Sequence, residues 1–175
     1  MQFNKYGITL RSLSVSDIER VRLWRNQEFV RLNMEYQDII TAEEQKKWFS
    51  LLEKNVNHYF IFSYKNTDIG MVNLKNVNWN KLTAEAGIFI GTKEYINTYI
   101  PFVTTIILME FAFEELKLNS LLAKIKILNK NAVLFNERLG YTFREPINEE
   151  YAYYECLKAN FILATHSLKR SLQKF

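Results

Sequence analysis

The stretch best suited to binding chemistry is IGTKEYINTYIPFVTTIILMEFAF, residues 90–113. Its pattern predicts the end of a strand, a short loop and the start of an apolar helix. Such a helix N-terminus suits a phosphate, because its first N–H groups lack helical partners and its dipole attracts anions. Phosphate loops usually use glycine for close backbone approach. This loop has none after Gly91 and offers Asn97, Tyr99 and Pro101. The sequence leaves open whether the loop binds a ligand or only connects two elements.

Histidine and cysteine form no further reactive arrangement. His58 and His166 are the only histidines and lie in separate predicted elements. With the single cysteine, Cys156, they give neither a metal-binding spacing nor a nucleophilic triad. We therefore expect no metal site. The lone cysteine also excludes an internal disulfide and fits a reducing compartment.

Length and composition predict one globular domain over residues 1–175, with 48% hydrophobic and 24% charged residues. No apolar run approaches the roughly 20 residues that span a bilayer, and the N-terminus lacks a secretory pattern. We expect a cytoplasmic protein without membrane or nucleic-acid partners, as a monomer or homodimer. The net charge of +4 favours an anionic partner only weakly, and small phosphates or a nucleotide explain it equally well.

Periodicity predicts a mixed α/β sheet flanked by helices. Ser16 with Glu19, and Thr41 with Glu44, are expected to be capping boxes, and KNTD at 65–68 a hairpin turn. Strands are expected in YGITLRSL, HYFIFSY, IGMVNLKNVNW, TAEAGIFIG, SLLAKIKIL and YAYYECLK. Helices are expected in SVSDIERVRLWRNQEFVRLN, AEEQKKWFSLLEKN, about 101–117, NKNAVLFNERLG and, as a helix or tail, at the C-terminus.

Two of these elements have defined faces. Alternation in TAEAGIFIG puts Glu85 and Phe89 on one face of the strand, and the following residues on the other: Ala84, Ala86, Ile88 and Ile90. The second helix is expected to turn three apolar residues inward: Trp48, Leu51 and Leu52.

Four stretches, in order, resemble the GNAT superfamily of acetyl-coenzyme A-dependent N-acetyltransferases: LRSLSVSDIERVRLWRN, AEAGIFIG, ILMEFAFEELKLNSLLAKI and NKNAVLFNERLGYTFRE. The resemblance covers nearly the whole chain. It implies the GNAT fold, a central, mostly antiparallel twisted sheet flanked by helices. It also implies transfer of an acetyl group from acetyl-coenzyme A to an amine.

In this family the loop before the long helix reads Q/R-x-x-G-x-G/A and holds the coenzyme A pyrophosphate through its N–H groups. The three defining positions are here Ile96, Tyr99 and Pro101, and all depart from the pattern. Proline suits a first helical turn, but it lacks an N–H, and Tyr99 adds bulk. A GNAT-fold binding module that no longer uses the coenzyme therefore stays open beside the enzyme.

The remaining cofactor contacts are implied by the resemblance, and the first turn of the long helix is expected to add three free N–H groups, those of Phe102, Val103 and Thr104. The contacts include N–H groups around Phe89 and Ile90 that would polarise the acetyl carbonyl, and free N–H groups and hydroxyls at the start of the long helix. The full set is Ile88, Phe89, Ile90, Phe102, Val103, Thr104, Asn129 and Phe135, with Thr105 as a further hydroxyl.

Glu85 is the candidate base, acting directly or through water; alternatively it only orients substrate or pairs with a lysine. The family's tyrosine acid falls on Asn136, which cannot deliver a proton, so water or another group would protonate the thiolate.

The segment WRNQEFVRLNM, with ITAEEQKKWF, resembles the branch that acetylates nucleotide-linked amino sugars for surface glycans or flagellin. It implies acceptor contacts from Trp24, Arg25 and Asn26, with Arg25 on a diphosphate and Asn26 on a sugar hydroxyl. A solvated helix end is the alternative for each residue. Other acceptors, a protein N-terminus or another small amine, stay open.

Overall fold

The structure, a computed structural model, describes residues 1–172. Its strands are β1 (Gln2–Lys5), β2 (Ile8–Ser12), β3 (His58–Tyr64), β4 (Thr67–Asn78), β5 (Thr83–Ile90), β6 (Ser120–Lys126), β7 (Thr142–Pro146) and β8 (Tyr151–Leu157). Its helices are α1 (Ile18–Asn26), α2 (Glu28–Arg31), α3 (Ala42–Ser50), α4 (Ile100–Glu110), α5 (Lys130–Glu137) and α6 (Lys158–Leu172).

The strands form one eight-stranded sheet in the order β1-β2-β3-β4-β5-β6-β8-β7. Every neighbouring pair is antiparallel except β5 and β6, which are parallel. The predicted mixed, mostly antiparallel sheet flanked by helices is therefore confirmed. No helix in the described part of the chain has both the length and the apolar character to cross a bilayer.

Helix α4 packs on one face of the sheet and forms the main core with it. Every residue of α4 except Phe102 is buried, as expected for a helix that is apolar on all sides. The helix continues through one π-helical turn, Phe111–Glu115. Strand β5 packs against this core through its predicted apolar face: Ala84, Ala86, Ile88 and Ile90.

The opposite face of the sheet, called the α1 face below, carries a second core in which Ile61, Met71 and Phe89 pack against α1 and α2. Glu85 lies on this face with Phe89, as the alternation predicts. The sheet thus separates α4 from the layer formed by α1 and α2.

Several local signals are confirmed. Thr41 and Glu44 form the predicted capping box, with N–H to oxygen distances of 2.8 and 3.2 Å. Lys65 and Asn66 form the predicted hairpin turn, with φ of 48° and 63°. Gly140 closes α5 with φ of 95°, where a Cβ atom would lie 2.7 Å from the Asn160 carbonyl oxygen.

The first helical segment differs from the prediction. Its capping pair is Ser14 and Asp17, with the Ser14 N–H donating to the Asp17 carboxylate at 2.9 Å, so the proposed Ser16–Glu19 box is wrong. Glu19 pairs with Arg22 instead. The helix is also interrupted at Gln27, whose ψ of 134° is extended.

Two strands and one helix end were also mispredicted. The hairpin strand β1 and the exposed edge strand β7 have no counterpart among the expected elements. Helix α3 ends at Ser50, so Leu51 is 69% exposed and does not face inward. The C-terminal element is helix α6, and the last residues of the predicted tail, 173–175, lie outside the described residues.

Candidate functional site

An opening between β5 and β6 is the main feature of the candidate site. The two strands pair only where Thr83–Glu85 runs beside Ser120–Leu122; beyond Glu85 no pairing joins them within residues 1–172. The register of β4 and β5, together with the Gly91 N–H bond to the Ile69 carbonyl at 2.8 Å, directs the odd-numbered residues of β5 toward β4. The N–H and C=O groups of Ile88 and Ile90 therefore point into the opening.

Phe89 contributes differently from the prediction. It opposes Met71 in the hydrogen-bonded register, so its N–H faces β4 rather than the opening. Its ring lies on the α1 face, 6.4 Å from the Trp24 ring. Of the two N–H groups expected to polarise a carbonyl, those of Phe89 and Ile90, only the Ile90 N–H points into the opening. The Ile88 N–H also points into it.

The loop before α4 is closed by its own side chains. The Thr98 hydroxyl donates to the Tyr95 carbonyl at 2.8 Å and accepts from the Ile100 N–H at 3.3 Å. The Tyr99 ring packs against Tyr64 with ring centroids 6.4 Å apart and the two hydroxyls 3.4 Å apart. The bulky side chain thus rests on the end of β3.

Fewer donors are free at the start of α4 than expected. The Val103 N–H donates to the Tyr99 carbonyl at 3.0 Å, and the Thr104 N–H follows one residue later in the helical pattern. Pro101 has no N–H. The expectation of three free N–H groups is therefore wrong for Val103 and Thr104, and Phe102 supplies the donor that lacks a helical acceptor.

The two threonine hydroxyls of α4 also fall short of the expectation. Thr105 donates its hydroxyl to the Pro101 carbonyl at 2.9 Å. Thr104 is fully buried, and its hydroxyl has no hydrogen-bond partner among the described residues. Neither hydroxyl is presented at the surface of the helix end.

Helix α5 lies beside the start of α4. The Phe102 and Phe135 rings meet edge to face at 5.6 Å between centroids. Asn129 caps α5 by accepting the Ala132 N–H at 3.0 Å. Asn136 donates its amide to the Ala132 carbonyl at 2.8 Å, which gives this side chain a bond within its own helix.

Glu85 stands at the point where β5 and β6 separate. One carboxylate oxygen accepts from the Asn76 amide at 2.9 Å, and the other pairs with the Lys75 ammonium at 3.2 Å. The carboxylate is 17% exposed and therefore accessible. The ion pair with a lysine, which was the alternative to a role as base, is therefore present. It holds the Glu85 carboxylate beside the opening.

The predicted acceptor residues have different roles in the structure. Trp24 is buried over Gly91, where an added Cβ atom would lie 2.2 Å from the indole. The Asn26 amide donates to the Ile40 carbonyl and accepts the Ile40 N–H, both at 2.9 Å. Both residues therefore position α1 and the loop after it.

Arg25 is the exception among the three. Its guanidinium lies 5.9 Å from the Phe89 ring centroid, donates weakly to the Tyr36 carbonyl at 3.4 Å and forms no salt bridge with any described residue. Its Nε is buried and has no hydrogen-bond partner among residues 1–172, and burial lowers the pKa of the guanidinium. A desolvated charge of this kind is unfavourable until an anion meets it.

Sequence reasoning missed the residues around Arg25 and Glu85. Burial raises the pKa of the Tyr59 phenol. The Arg25 charge opposes this increase and the Glu85 charge adds to it, so Tyr59 lies close enough to interact with both charges. Glu35, in the loop after α2, pairs with Lys124 of β6 at 2.5 Å. Lys124 alternates with buried residues along β6, a signal that could have placed it on the α1 face, whereas Tyr59 and Lys75 lie in strands without regular alternation.

The histidine and cysteine residues lie away from this site. The His58 ring packs edge-on against Phe111 at 5.5 Å between centroids, and burial lowers its pKa. Cys156 is buried, and that burial raises the pKa of its thiol to about 12.

Comparison with known proteins agrees with the fold. Residues 8–142 match the family profile described as acetyltransferase (GNAT) domain. No curated protein matches the chain. Among solved structures, the spermidine N-acetyltransferase from Vibrio cholerae in complex with CoA and spermine is 18% identical, with a TM-score of 0.77 over 89% of this chain and 98% of that one.

Two further structures are similar. A domain from Methanocaldococcus jannaschii is 21% identical with a TM-score of 0.77, over 86% of this chain and 97% of that chain. An uncharacterized protein from Bacillus halodurans is 13% identical with a TM-score of 0.83, over 98% and 97%. At these identities the likeness is one of fold, and the predicted fold is confirmed.

Proposed function

Because the chain belongs to the acetyltransferase (GNAT) domain family, an acyltransferase family that uses acetyl-coenzyme A, we propose that it acetylates a small primary amine. The observation that carries the proposal is the opening between β5 and β6, with the backbone groups of Ile88 and Ile90 unpaired beside Glu85. A carboxylate at the mouth of an opening lined with N–H donors suits deprotonation of an amine that attacks a polarised carbonyl.

Acetyl-coenzyme A fits the residues in part. The free backbone groups of Ile88 and Ile90 would bind the amides of its pantetheine arm, and Phe102 with Phe135 would supply an apolar wall. Its diphosphate would lie at the N-terminus of α4, where the helix dipole attracts it but few N–H groups are free to donate. Losing one or two charge-assisted bonds at about 1.5–3 kcal/mol each weakens binding by an order of magnitude or more relative to a glycine loop.

Two residues have distinct roles in the proposed reaction. Glu85 accepts the amine proton, directly or through a water, as the C–N bond forms. The Ile90 N–H polarises the thioester carbonyl. Asn136 cannot donate a proton, so water or another group protonates the thiolate when the C–S bond breaks.

The favoured acceptor is a nucleotide-linked amino sugar, as in surface-glycan or flagellin modification. Arg25 supports it, because an unpaired guanidinium on the α1 face suits a diphosphate. A polyamine is the second candidate, since a structural neighbour binds spermine. Against it, Glu35 and Glu85 are already paired with Lys124 and Lys75, which leaves these carboxylates less available to a polycation.

Calorimetric titration with acetyl-coenzyme A, using desulfo and truncated coenzymes as controls, tests the cofactor. Thiol release with a nucleoside diphosphate amino sugar, spermidine and an N-terminal peptide then tests the acceptor. Saturable coenzyme binding with turnover of the amino sugar is expected. If only spermidine or only the peptide were acetylated, that compound would replace the amino sugar as the proposed acceptor. A folded protein that binds no coenzyme at millimolar concentration would refute the enzyme and favour a non-catalytic module.

A further inference from the structure

An open groove of roughly 460 Å³ runs along the end of the β4–β5 hairpin, and one of its lining residues, Asn76, donates a hydrogen bond to Glu85 at 2.9 Å. It is called the asparagine groove below and is lined by Val56, Asn76, Val77, Asn78, Trp79 and Asn80. The groove is wide open to solvent and is not an enclosed cavity. None of its six lining residues carries a charge, although it adjoins the charged pair of Glu85 and Lys75.

The groove combines an aromatic ring with unused amide groups. Trp79 is 44% exposed, and its indole N–H is held by the Asn55 carbonyl at 3.1 Å, which fixes the ring. The Asn78 side-chain oxygen accepts the N–H groups of Asn80 and Lys81, at 3.1 and 2.9 Å, which leaves its amide nitrogen to donate.

The polypeptide chain is locally irregular where the groove meets Glu85. The pairing of β4 with β5 shifts register between Lys75 and Asn78, and Asn76 has a φ of 55°. Bulges of this kind redirect side chains and are common beside active sites. Here the Asn76 amide donates to Glu85 at 2.9 Å, and its carbonyl oxygen remains able to accept.

We propose that the asparagine groove binds a sugar ring of the acceptor, an inference that rests on the proposed acetyl transfer. A sugar presents C–H groups that pack on an indole and hydroxyls that both donate to and accept from amides. The uncharged lining favours this neutral chemistry over a polyamine or a phosphate. Asn76 links the groove to Glu85, so a ring bound there lies next to the residue proposed to deprotonate the amine.

The direct test is a titration of the whole protein with N-acetylglucosamine and with glucose, followed through the tryptophan indole N–H signals in NMR spectra. A saturable shift of the Trp79 signal at millimolar sugar is expected, and the Trp24 and Trp48 signals should not move. Asn80→Ala should weaken the response. Phe143→Ala, at an exposed aromatic residue on β7, is the matched control and should leave it unchanged.

Turnover gives a second readout. Trp79→Ala should raise KM for the amino-sugar acceptor about tenfold, equivalent to about 1.4 kcal/mol, and leave kcat within about twofold. Trp79→Phe, which keeps an aromatic ring, should retain most of the affinity.

The outcomes separate the two proposals. No saturable shift by either sugar in the folded protein, or an equal shift by spermidine, would overturn the sugar assignment. A shift of Trp79 by sugar without acetyl transfer to any amine would support the groove and count against the proposed reaction.

Discussion

Charge pairing distinguishes the residues of the α1 face from one another. Glu85 and Glu35 each have a lysine partner, at 3.2 and 2.5 Å. Arg25 has no carboxylate partner in the described part of the chain, and it packs over Phe89. With both acids paired to lysines, the unpaired guanidinium of Arg25 over Phe89 is the contact that we propose for an anionic part of the acceptor.

Replacing Glu85 by glutamine tests its role as base. The substitution keeps the size of the side chain and removes its capacity to accept a proton, so kcat should fall about 10²–10⁴-fold at neutral pH. Activity should recover in part as pH rises, because a larger share of the amine is then neutral without help. Initial rates across pH measure this effect.

The control for this substitution is Glu137→Gln, at an exposed residue of α5. It should leave both kcat and its pH dependence unchanged. An unaltered pH–rate profile for Glu85→Gln would remove Glu85 from proton transfer and leave it as the partner of Lys75.

Arg25→Met should separate stability from binding. Removing a desolvated, unpaired charge is expected to leave the free protein as stable or about 0.5–1 kcal/mol more stable. The same change should raise KM for an anionic acceptor, because the guanidinium would otherwise meet its charge. Thermal unfolding and acceptor kinetics on one protein preparation measure the two effects.

Arg31→Met provides the comparison for stability. Like Arg25, Arg31 has no carboxylate partner among residues 1–172, but it donates a short bond of 2.7 Å to the Gln37 carbonyl, so its loss should destabilise the protein. Equal destabilisation by both substitutions would show that Arg25 contributes to the fold rather than to an anion site.

Elements with strong local signals were predictable, and those set by distant partners were not. The Thr41–Glu44 box and the turn at Lys65 and Asn66 are encoded within a few residues. The break at Gln27 gave no such signal, because its extended conformation accompanies a bond from its side chain to the Gly91 carbonyl, 64 residues away. The edge strand β7 is exposed throughout and lacks an alternating pattern.

The candidate site shows the same limit. The resemblance led to Glu85 and to the strand ending at Ile90, but which N–H groups face the opening follows from the register of β4 and β5. The sequence does not show that the Val103 N–H is occupied, because this depends on one hydrogen bond to the Tyr99 carbonyl. Side-chain partners that lie far apart in sequence, such as Lys124 and Glu35, become visible through the fold.

The junction between β2, α1 and β4 depends on one buried ion-pair network. Arg11 makes two bonds of 2.7 Å to Asp17 and one of 2.8 Å to Asp68. Burial alone would raise the pKa of the Asp17 carboxyl, but hydrogen bonds from Arg11 and Ser14 outweigh it and lower the pKa to about 2. This network fixes the start of α1, and with it the position of Arg25.

Asp17→Asn should therefore destabilise the protein by about 2 kcal/mol, because it removes the buried carboxylate that accepts two bonds from Arg11 and leaves Asp68 as the remaining charged partner of that guanidinium. A lowered carboxyl pKa gives stability that is full above the unfolded value of about 4 and is lost as pH falls toward about 2. The variant should lack that part of the acid dependence. Urea unfolding at several pH values measures both effects.

Glu19→Gln is the matched control, since Glu19 forms an exposed pair with Arg22 in the same region. Its cost should be small beside that of Asp17→Asn, because solvent screens an exposed ion pair. A comparable loss for both variants would mean that burial of the Asp17 pair is not what matters.

Over the whole molecule, one buried carboxylate connects both ends of the described chain to the central helix. Glu110 of α4 is 3% exposed and is contacted by Lys5 at 3.0 Å, Tyr6 at 3.1 Å and Lys169 at 2.6 Å. Lys5 belongs to β1, Tyr6 to the turn after it, and Lys169 to α6. These contacts hold the last residue of α4, so the placement of this helix depends on both terminal elements. The other end of α4 lies beside the proposed site.

Glu110→Gln should lower the free energy of unfolding by about 2–3 kcal/mol. Burial alone would raise the pKa of this carboxyl, but Lys169 and Lys5 outweigh it and hold the pKa below its usual range. The stabilisation should thus be complete above the unfolded pKa of about 4.3 and disappear as pH falls below it, and the variant should lose this dependence.

Tyr6 gives an independent readout: burial and the Glu110 charge raise its pKa to about 12, so its phenol should titrate at lower pH in the variant. Unchanged stability together with an unchanged Tyr6 titration would show that the chain ends are held to α4 by apolar packing alone.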